Sequence, residues 1–494
     1  MTDDSRDARR GSLFVAVRGE RDDGARYLAD AALRGAACAV CEAPPPAEMP
    51  YVLVPDCRHA LALMAAAWYG NPSEKLTMVG VTGTNGKTTT TVLIRQLLER
   101  TLGVKTGLIG TVENRIGEET IPAERTTPGA LELHHMLARM AEQGCTHAVM
   151  EVSSHALIQQ RTAGITFDAA VFTNLTQDHL DYHGTMEAYC DAKARLFRQS
   201  RAAAVNGDSR WAKRVLDGAS CPRLTYGQDL TNDIVGWRAR YENDRVRFTV
   251  SDEEEHYLTE LRIPGEFSLY NALAALSALR LLGVPLEDAA RELPRCTGVR
   301  GRCEVVPTDT DYTVLIDYAH TPDGLRNILK TVCGFAENRV LLVFGCGGDR
   351  DRVKRARMGR IASALSDLAV VTSDNPRTES PYLILHDILN GMRESKTPFA
   401  VMEDRREAIA YALDHAERGD VVLLAGKGHE AYQIVGNAAV PLDERTIVRE
   451  HLKQRRNQHD QNSSCLPAGL CGLCDCGTLP DPLAQEAEGG TGDP

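Results

Sequence analysis

At 494 residues the chain exceeds what one hydrophobic core organises, so several domains are expected, and it can bury several cores without disulfide or metal staples. A formal net charge of −12 argues against nucleic acid as a principal partner, because counterion release needs clustered lysine and arginine. No apolar run reaches membrane-spanning length, and Met1-Thr2-Asp3-Asp4 opens neither a basic nor an apolar segment, so a cytoplasmic protein without a membrane partner is expected.

Residues 1–74 predict a small α/β unit. Strands are expected over Leu13–Val17, Ala37–Cys41 and Tyr51–Val54, with helices over Ala25–Leu33 and His59–Tyr69, before Gly70-Asn71-Pro72-Ser73 breaks the chain. The stretch from Thr77 to Thr89 follows: an apolar, β-branched run, a bend at Gly83 and Gly86, then helical periodicity from Thr89 to Arg100. A strand, loop and helix in that order aim backbone N–H groups and a helix N-terminus at one point. Lys87 adds a mobile cation and Thr88 a hydroxyl suited to Mg2+, which together suit a nucleoside triphosphate. Val81 stands where the general phosphate-loop pattern has glycine, so the strict motif is not met, while Gly83, Gly86, Lys87 and Thr88 keep register. The competing reading is a glycine-rich turn with an exposed lysine.

From Lys75 onward strands (Met78–Val81, Ala148–Val152, Ala169–Thr173, Ala202–Asn206) alternate with helices, which implies a parallel sheet covered on both faces. Glu151 ends one strand and opens Glu151-Val152-Ser153-Ser154-His155. Such a carboxylate beside a phosphate loop suits Mg2+, and a helix-capping cluster accounts for it equally well. Asp178, His179, Asp181 and His183 cluster after the next strand without completing a zinc set, which leaves phosphate contacts or solvated loop polarity. Lys193, in Asp191–Phe197, reads as a surface lysine on an amphipathic helix.

A second boundary is expected near Cys296–Gly301, followed by a facing α/β domain with strands at Val314–Ile316, Val340–Phe344, Leu368–Thr372 and Val421–Ala425. Each strand ends in a polar cluster: Asp317–His320, Gly345–Asp351, Ser373–Arg377 and Gly426–Glu430. Their recurrence points to one pocket beyond the carboxyl ends of the strands. Arg350 and Arg377 suit carboxylates, and Asp374 and Glu430 suit an ammonium, so a zwitterionic substrate fits. The Gly345 cluster lacks the spacing of a dinucleotide fingerprint, which removes a NAD-dependent enzyme from first consideration. Cys38, Cys145, Cys190 and Cys333 lie singly in apolar segments, as reduced thiols do. Cys465, Cys471, Cys474 and Cys476 are spaced like half a zinc site, but they sit in a tail over 453–494 whose composition predicts disorder.

Taken together, Gly83–Thr88, Glu151–His155, Asp178–His183, Asp317–Pro322 and Asp374–Arg377 resemble the Mur ligases, with the likeness running from about Asp4 to Leu452. The resemblance implies an α/β fold of three domains: a UDP-substrate domain over 1–74 that is short at its start, a central P-loop-type parallel-sheet domain over 75–298, and a C-terminal Rossmann-like, amino-acid-binding domain over 299–452. It implies a monomeric ATP-dependent amide ligase of peptidoglycan precursor synthesis that works through an acyl phosphate. By position, Gly83, Thr84, Asn85, Gly86, Lys87, Thr88, Thr89, Asn271, Arg302 and Asp317 would hold ATP. Thr88, Glu151, His179 and a carbamylated Lys193 would serve Mg2+, and Lys87, Glu151, His179 and Lys193 would be catalytic. Ser5, Thr126, Thr127, Ser153, Gln159 and Arg161 would hold UDP-N-acetylmuramoyl-dipeptide. Arg350, Asp374, Asn375, Pro376, Arg377, Gly426 and Glu430 would hold the amino acid, for which the Asp-Asn-Pro-Arg form implies meso-diaminopimelate. The alternatives are a lysine-adding or folylpolyglutamate-type ligase, or a nucleotide-binding homologue without catalysis.

Overall fold

The computed structural model describes residues 1–464 apart from Glu20, Arg21, Ala47 and Glu254; Cys465, Cys471, Cys474 and Cys476 lie outside the described residues. The first unit is a parallel sheet of β1 (Leu13–Val15), β2 (Cys38–Cys41) and β3 (Tyr51–Leu53) in that order, with α1 (Leu28–Leu33) and α2 (Cys57–Trp68) packed beside it. The helix expected from Ala25 is split, because the Asp23 side chain accepts from the Ala25 N–H and caps a 3-10 turn over Gly24–Tyr27.

The second unit is built on an eleven-stranded sheet. Its elements in chain order are β4 (Thr77–Thr82), α3 (Lys87–Leu102), β5 (Thr106–Ile109), β6 (Glu113–Ile116), β7 (Glu119–Pro122), α4 (Ala130–Glu142), β8 (His147–Glu151), α5 (Ser154–Ile158) and β9 (Ala169–Phe172). There follow α6 (Leu180–His183), α7 (Met186–Arg198), β10 (Ala203–Asn206), α8 (Ala212–Val215), β11 (Arg223–Gly227), β12 (Ile234–Tyr241), β13 (Val246–Ser251), β14 (His256–Leu261), α9 (Glu266–Leu281) and α10 (Leu286–Glu292). The strand order is β14-β13-β12-β11-β10-β9-β4-β8-β5-β6-β7, so β4, which leads into the glycine-rich loop, lies between two parallel neighbours, β8 and β9. The sheet is not purely parallel as expected: β6 and β7 extend one edge antiparallel, and β13 and β14 the other. Of these added strands, β6 and β13 alternate buried with more accessible residues, the pattern of a sheet with one wetted face rather than of a doubly covered one. One apolar cluster lies under α3 and α9, and a second under α4 and α7 on the opposite face.

The third unit is a six-stranded sheet of order β15-β16-β20-β17-β18-β19, parallel except for the edge strand β15. Its elements are β15 (Glu304–Val306), β16 (Thr313–Asp317), α11 (Pro322–Cys333), β17 (Val340–Phe344), α12 (Val353–Leu365), β18 (Leu368–Val371), α13 (Pro381–Asn390), β19 (Phe399–Val401), α14 (Arg405–Asp414) and β20 (Val421–Ala425). A hairpin of β21 (Tyr432–Val435) and β22 (Ala438–Pro441) and the helix α15 (Glu444–Ser464) complete it. α15 runs past residue 452, so the segment expected to begin a disordered tail begins as helix; Ile447, Val448 and Leu452 are buried in the same cluster as Leu413 of α14. Glu444 and Arg405 form a fully buried pair at 2.8 Å, and Arg405 also donates to the carbonyls of Ala425 (2.8 Å) and Ser373 (3.4 Å), tying together the ends of β20 and β18. Between the second and third units, Gln96 of α3 grips the linker: its Nε2 donates to the Thr297 carbonyl (3.1 Å) and its Oε1 accepts from the Thr297 N–H (2.8 Å). No helix among the described residues is long and apolar enough to cross a membrane.

His134, on α4, has no exposed surface, and burial pulls its pKa from 6.5 to about 4. The unfolded chain takes up that proton first as pH falls, so the stability held above the unfolded value is lost between the two pKa values. Unfolding free energies from urea titrations should therefore fall between pH 7.5 and 4 by an amount that includes about 3 kcal/mol from this residue, and His134→Leu should flatten that part of the profile.

Candidate active site

β4 ends at Thr82, whose hydroxyl donates to the Val152 carbonyl at 2.7 Å, and the chain then turns through Gly83 and Gly86 into α3. Both glycines are required by their surroundings. A Cβ on Gly83 would stand 1.9 Å from Thr173 Oγ1, and one on Gly86 (φ 84°) would stand 2.3 Å from Asn271 Oδ1. The exit of β9 fixes the loop from the other side: Thr84 N–H donates to Asn174 O (2.9 Å), Asn85 N–H to Asn174 Oδ1 (3.0 Å), and Thr173 Oγ1 to Asn85 O (2.6 Å). The first N–H groups of α3 have no partner within the helix and form a ready anion site. Asn271, from α9, sits beneath the loop and accepts from Thr90 Oγ1 at 3.3 Å, while its buried Nδ2 has no partner among the described residues.

Two ammonium groups meet at one carbonyl. Lys87 Nζ donates to Gly83 O (3.0 Å) and Thr84 O (2.9 Å), and Lys193 Nζ donates to the same Gly83 O at 2.8 Å. Lys193 is therefore not the surface lysine its helix suggests: it is 1% exposed and lies 4.5 Å from the centre of the Tyr189 ring. Its neighbours Ala192 and Ala194 are buried too, and it lies off the exposed face of α7 that carries Glu187, Asp191, Arg195 and Arg198. Burial, reinforced by the Lys87 charge, holds its pKa well below the ordinary lysine value, which enlarges the fraction of neutral amine. Burial also lowers Lys87, against the pull of Glu151 and Asp178.

Glu151, fully buried at the end of β8, accepts from Thr111 N–H (2.7 Å) and Thr111 Oγ1 (3.0 Å). Ser153, not Glu151, caps α5, accepting from Ala156 N–H at 3.2 Å. The expected dipeptide residues join around this carboxylate. Thr126 Oγ1 lies 3.1 Å from Thr111 Oγ1, Thr127 Oγ1 donates to Glu151 O (2.8 Å), and Ser153 N–H donates to Thr127 Oγ1 (3.1 Å). Arg161 closes the group, donating to Thr127 O (2.6 Å) and Gln159 Oε1 (2.6 Å). Glu151 and Thr88 line one cavity of about 310 Å3. One buried carboxylate and one hydroxyl at a helix start fit Mg2+, which keeps water and phosphate oxygens as ligands; among the described residues no group of three or more His, Cys, Asp or Glu offers a metal cage. His179 belongs elsewhere. It heads α6 at φ 52°, stands 3.5 Å from Asp178, packs edge-on against His155 and Tyr189, and lines a separate cleft of about 990 Å3 with Asn85. Tyr189 thus connects it to Lys193 rather than to Glu151.

The far wall of that cleft comes from the third unit, through Arg302, Asp317 and Lys330. Asp317 ends β16 and accepts from Cys303 N–H (2.8 Å) and Ala319 N–H (2.9 Å); burial raises its pKa, against those bonds and Arg302. The Arg302 guanidinium lies 5.2 Å from the Tyr318 ring.

Asp374 and Asn375 follow β18 and are nearly buried, beside Gly426 (φ 114°), whose Cβ would come within 3.5 Å of Asp374 Oδ2. Arg377 has φ 53° and donates through Nη1 to Gly348 O at 2.9 Å; Pro376 is buried against the same glycine, and Arg350 is exposed on the neighbouring loop. The ammonium expected between Asp374 and Glu430 is provided by the chain itself: Lys427 Nζ lies 3.3 Å from each carboxylate. Sequence reasoning passed over Lys427. Its signal was position, since a lysine between two glycines directly after a wholly buried strand has no length of loop in which to leave the interior. Ser5 is set apart from all of these, lining a cavity of about 700 Å3 with Arg6, Tyr27 and Arg125 between the first unit and the approach to α4.

Residues 81–279 match the Mur ligase middle domain and residues 301–428 the Mur ligase, glutamate ligase domain. With this fold and a phosphate-loop site facing a second α/β unit, the chain belongs to the Mur ligase family. Within the family it is 47% identical over 465 residues to UDP-N-acetylmuramoyl-L-alanyl-D-glutamate–2,6-diaminopimelate ligase of Gloeobacter violaceus, covering 93% of this chain and 94% of the relative. It is 44% identical over 455 residues to the ligase of the same name from Caldanaerobacter subterraneus subsp. tengcongensis, covering 91% and 94%. A solved structure of a ligase of that name superposes with a TM-score of 0.72 at 33% identity, covering 92% of this chain and 94% of the other.

Gly83→Ala, which drives a methyl group into Thr173 Oγ1, should weaken binding of a non-hydrolysable nucleoside triphosphate by about tenfold or more in calorimetric titration.

Proposed function

We propose that this chain is an ATP-dependent ligase that joins meso-diaminopimelate to UDP-N-acetylmuramoyl-L-alanyl-D-glutamate. The observation that carries the reading is the convergence of Lys87 and Lys193 on the Gly83 carbonyl, beside a cavity that Thr88 shares with Glu151 and a cleft walled by the amino-acid unit. A carboxylate and an ammonium do not condense unaided. The dipeptide's terminal carboxylate attacks the γ-phosphorus of ATP, ADP leaves, and an acyl phosphate forms; the amine of diaminopimelate, having lost a proton, then attacks the acyl carbon and expels phosphate.

In this reading Gly83–Thr89 cradle the triphosphate, with Lys87 drawing the transferred phosphoryl group, and Asn271, Arg302 and Asp317 hold the rest of the nucleotide. Thr88 and Glu151 would hold Mg2+, with Lys193 and, from the adjoining cleft, His179 associated; an ion there would neutralise the crowded phosphate oxygens. Carbamylation joins the neutral amine of Lys193, the form its buried position favours, to CO2 with release of a proton, so that an anion stands where a lysine would otherwise carry a positive charge. Thr126, Thr127, Ser153, Gln159 and Arg161 receive the dipeptide, and Ser5 the uridine end. Arg350, Asp374, Asn375, Pro376, Arg377, Gly426 and Glu430 receive the amino acid, with Arg377 on the distal carboxylate that lysine lacks. Closing the cleft between the two units keeps water from the acyl phosphate.

Phosphate release from ATP and Mg2+ with the UDP-dipeptide should occur with meso-diaminopimelate and not with L-lysine. Release with lysine alone would keep the ligase and overturn the role of Arg377, and release with neither would overturn the reading. In a second measurement, protein equilibrated with 13C-bicarbonate should give a carbamate carbonyl resonance that Lys193→Ala lacks, and that variant should lose about a hundredfold or more in kcat. A wild-type spectrum without the resonance would remove carbamylation from the account.

A further inference from the structure

Lys427 has no part in the reading above, although each of its polar contacts ends on a residue of the proposed amino-acid pocket. It follows β20 directly and has no exposed surface. Its Nζ donates to Asn375 Oδ1 at 2.5 Å and lies 3.3 Å from both Asp374 Oδ1 and Glu430 Oε2. Asn375 is thereby fixed at both ends of its amide. Its Oδ1 also accepts from Ile434 N–H (2.8 Å), and its Nδ2 donates to Glu430 Oε2 (3.0 Å).

The same hairpin that supplies Ile434 holds the rest of the loop. Arg377 N–H donates to Ile434 O (3.0 Å), Gly436 N–H to Arg377 O (2.8 Å), and Gln433 Nε2 to Asp374 O (2.7 Å). Arg377 is kept at φ 53°, a conformation that a non-glycine residue holds only under such restraint. One buried cation thus neutralises two carboxylates and, through Asn375, links Glu430 to the strand that orients Arg377. The described bonds to Glu430 end on Oε2, which leaves Oε1 as the oxygen available to a ligand ammonium.

We infer that Lys427 is a positioning residue for the amino-acid substrate, setting Glu430 against its ammonium and Arg377 against its distal carboxylate, and so helping to select a diamino dicarboxylate over a diamine with one carboxylate. The inference rests on the ligase reading above. A buried ion pair that serves stability alone would weaken the fold when broken and treat all substrates alike.

The test compares wild type, Lys427→Met, Lys427→Arg, Glu430→Gln and the Lys427→Met/Glu430→Gln double variant by KM for meso-diaminopimelate, KM for ATP, the preference for meso-diaminopimelate over L-lysine, and Tm. For Lys427→Met the KM for meso-diaminopimelate should rise about tenfold or more while that for ATP stays within about twofold, and the preference over lysine should fall. Because Lys427 acts in part through Glu430, the double variant should lose less in that KM than the two single losses combined. Should Lys427→Met fail to fold, Lys427→Arg, which keeps the charge in a different shape, should show the same selective rise. Equal shifts for both substrates, an unmoved KM for meso-diaminopimelate in a folded variant, or strictly additive losses in the double variant would overturn the positioning role. Wild type that turns over meso-diaminopimelate isolates that failure; wild type that turns over neither amino acid overturns the ligase reading and this inference with it.

Discussion

The centre depends on a single backbone carbonyl that accepts from two ammonium groups. Bringing Lys87 and Lys193 to Gly83 O sets two like charges side by side in a largely dry place, which by itself is unfavourable. Asp178 offsets part of that cost at both lysines and Glu151 at Lys87, and the depressed pKa of Lys193 relieves another part by letting its proton go. What remains is a positive focus at the mouth of a helix whose own first N–H groups face the same way. A ligand rich in anionic oxygens completes that arrangement.

The folds of the second and third units explain why a site of this kind forms where it does. Both sheets are parallel through their middles, and parallel strands deliver every loop after a strand to the same edge. In the second unit those edges carry Gly83, Glu151 and Asn174; in the third they carry Asp317, Asp374 and Gly426. The buried Arg405–Glu444 pair does for the third unit what the Thr173 and Asn174 contacts do for the second, tying the ends of neighbouring strands together so that loop residues are held by more than their own chain.

Much of this was legible in the sequence, and the exceptions have physical causes. Strands with continuous apolar runs, such as Val340–Phe344 and Val421–Ala425, declared themselves to the residue, because burial on both faces leaves no other composition. The antiparallel edge strands did not, since charged residues such as Arg247 and Glu260 interrupt them on the wetted face. Of the site, the glycines and carboxylates at strand ends could be read because the backbone there leaves few alternatives. Lys193 and Lys427 could not be chosen on composition, because what distinguishes a buried lysine is its partners, and Gly83 and Asp374 are remote from them in the chain.

The linker between the two units has a consequence for how they communicate. Thr297 is gripped by Gln96 on the helix that begins with Lys87, whereas Gly301 is packed so closely on Gly428 that a Cβ would fall 2.1 Å from that residue's carbonyl carbon. Only Gly298, Val299 and Arg300 separate the two anchor points. One end of this short spacer is tied to the helix that begins with Lys87 and the other to the loop of Lys427, so any displacement of one anchor against the other has to be absorbed by the backbone torsions of three residues.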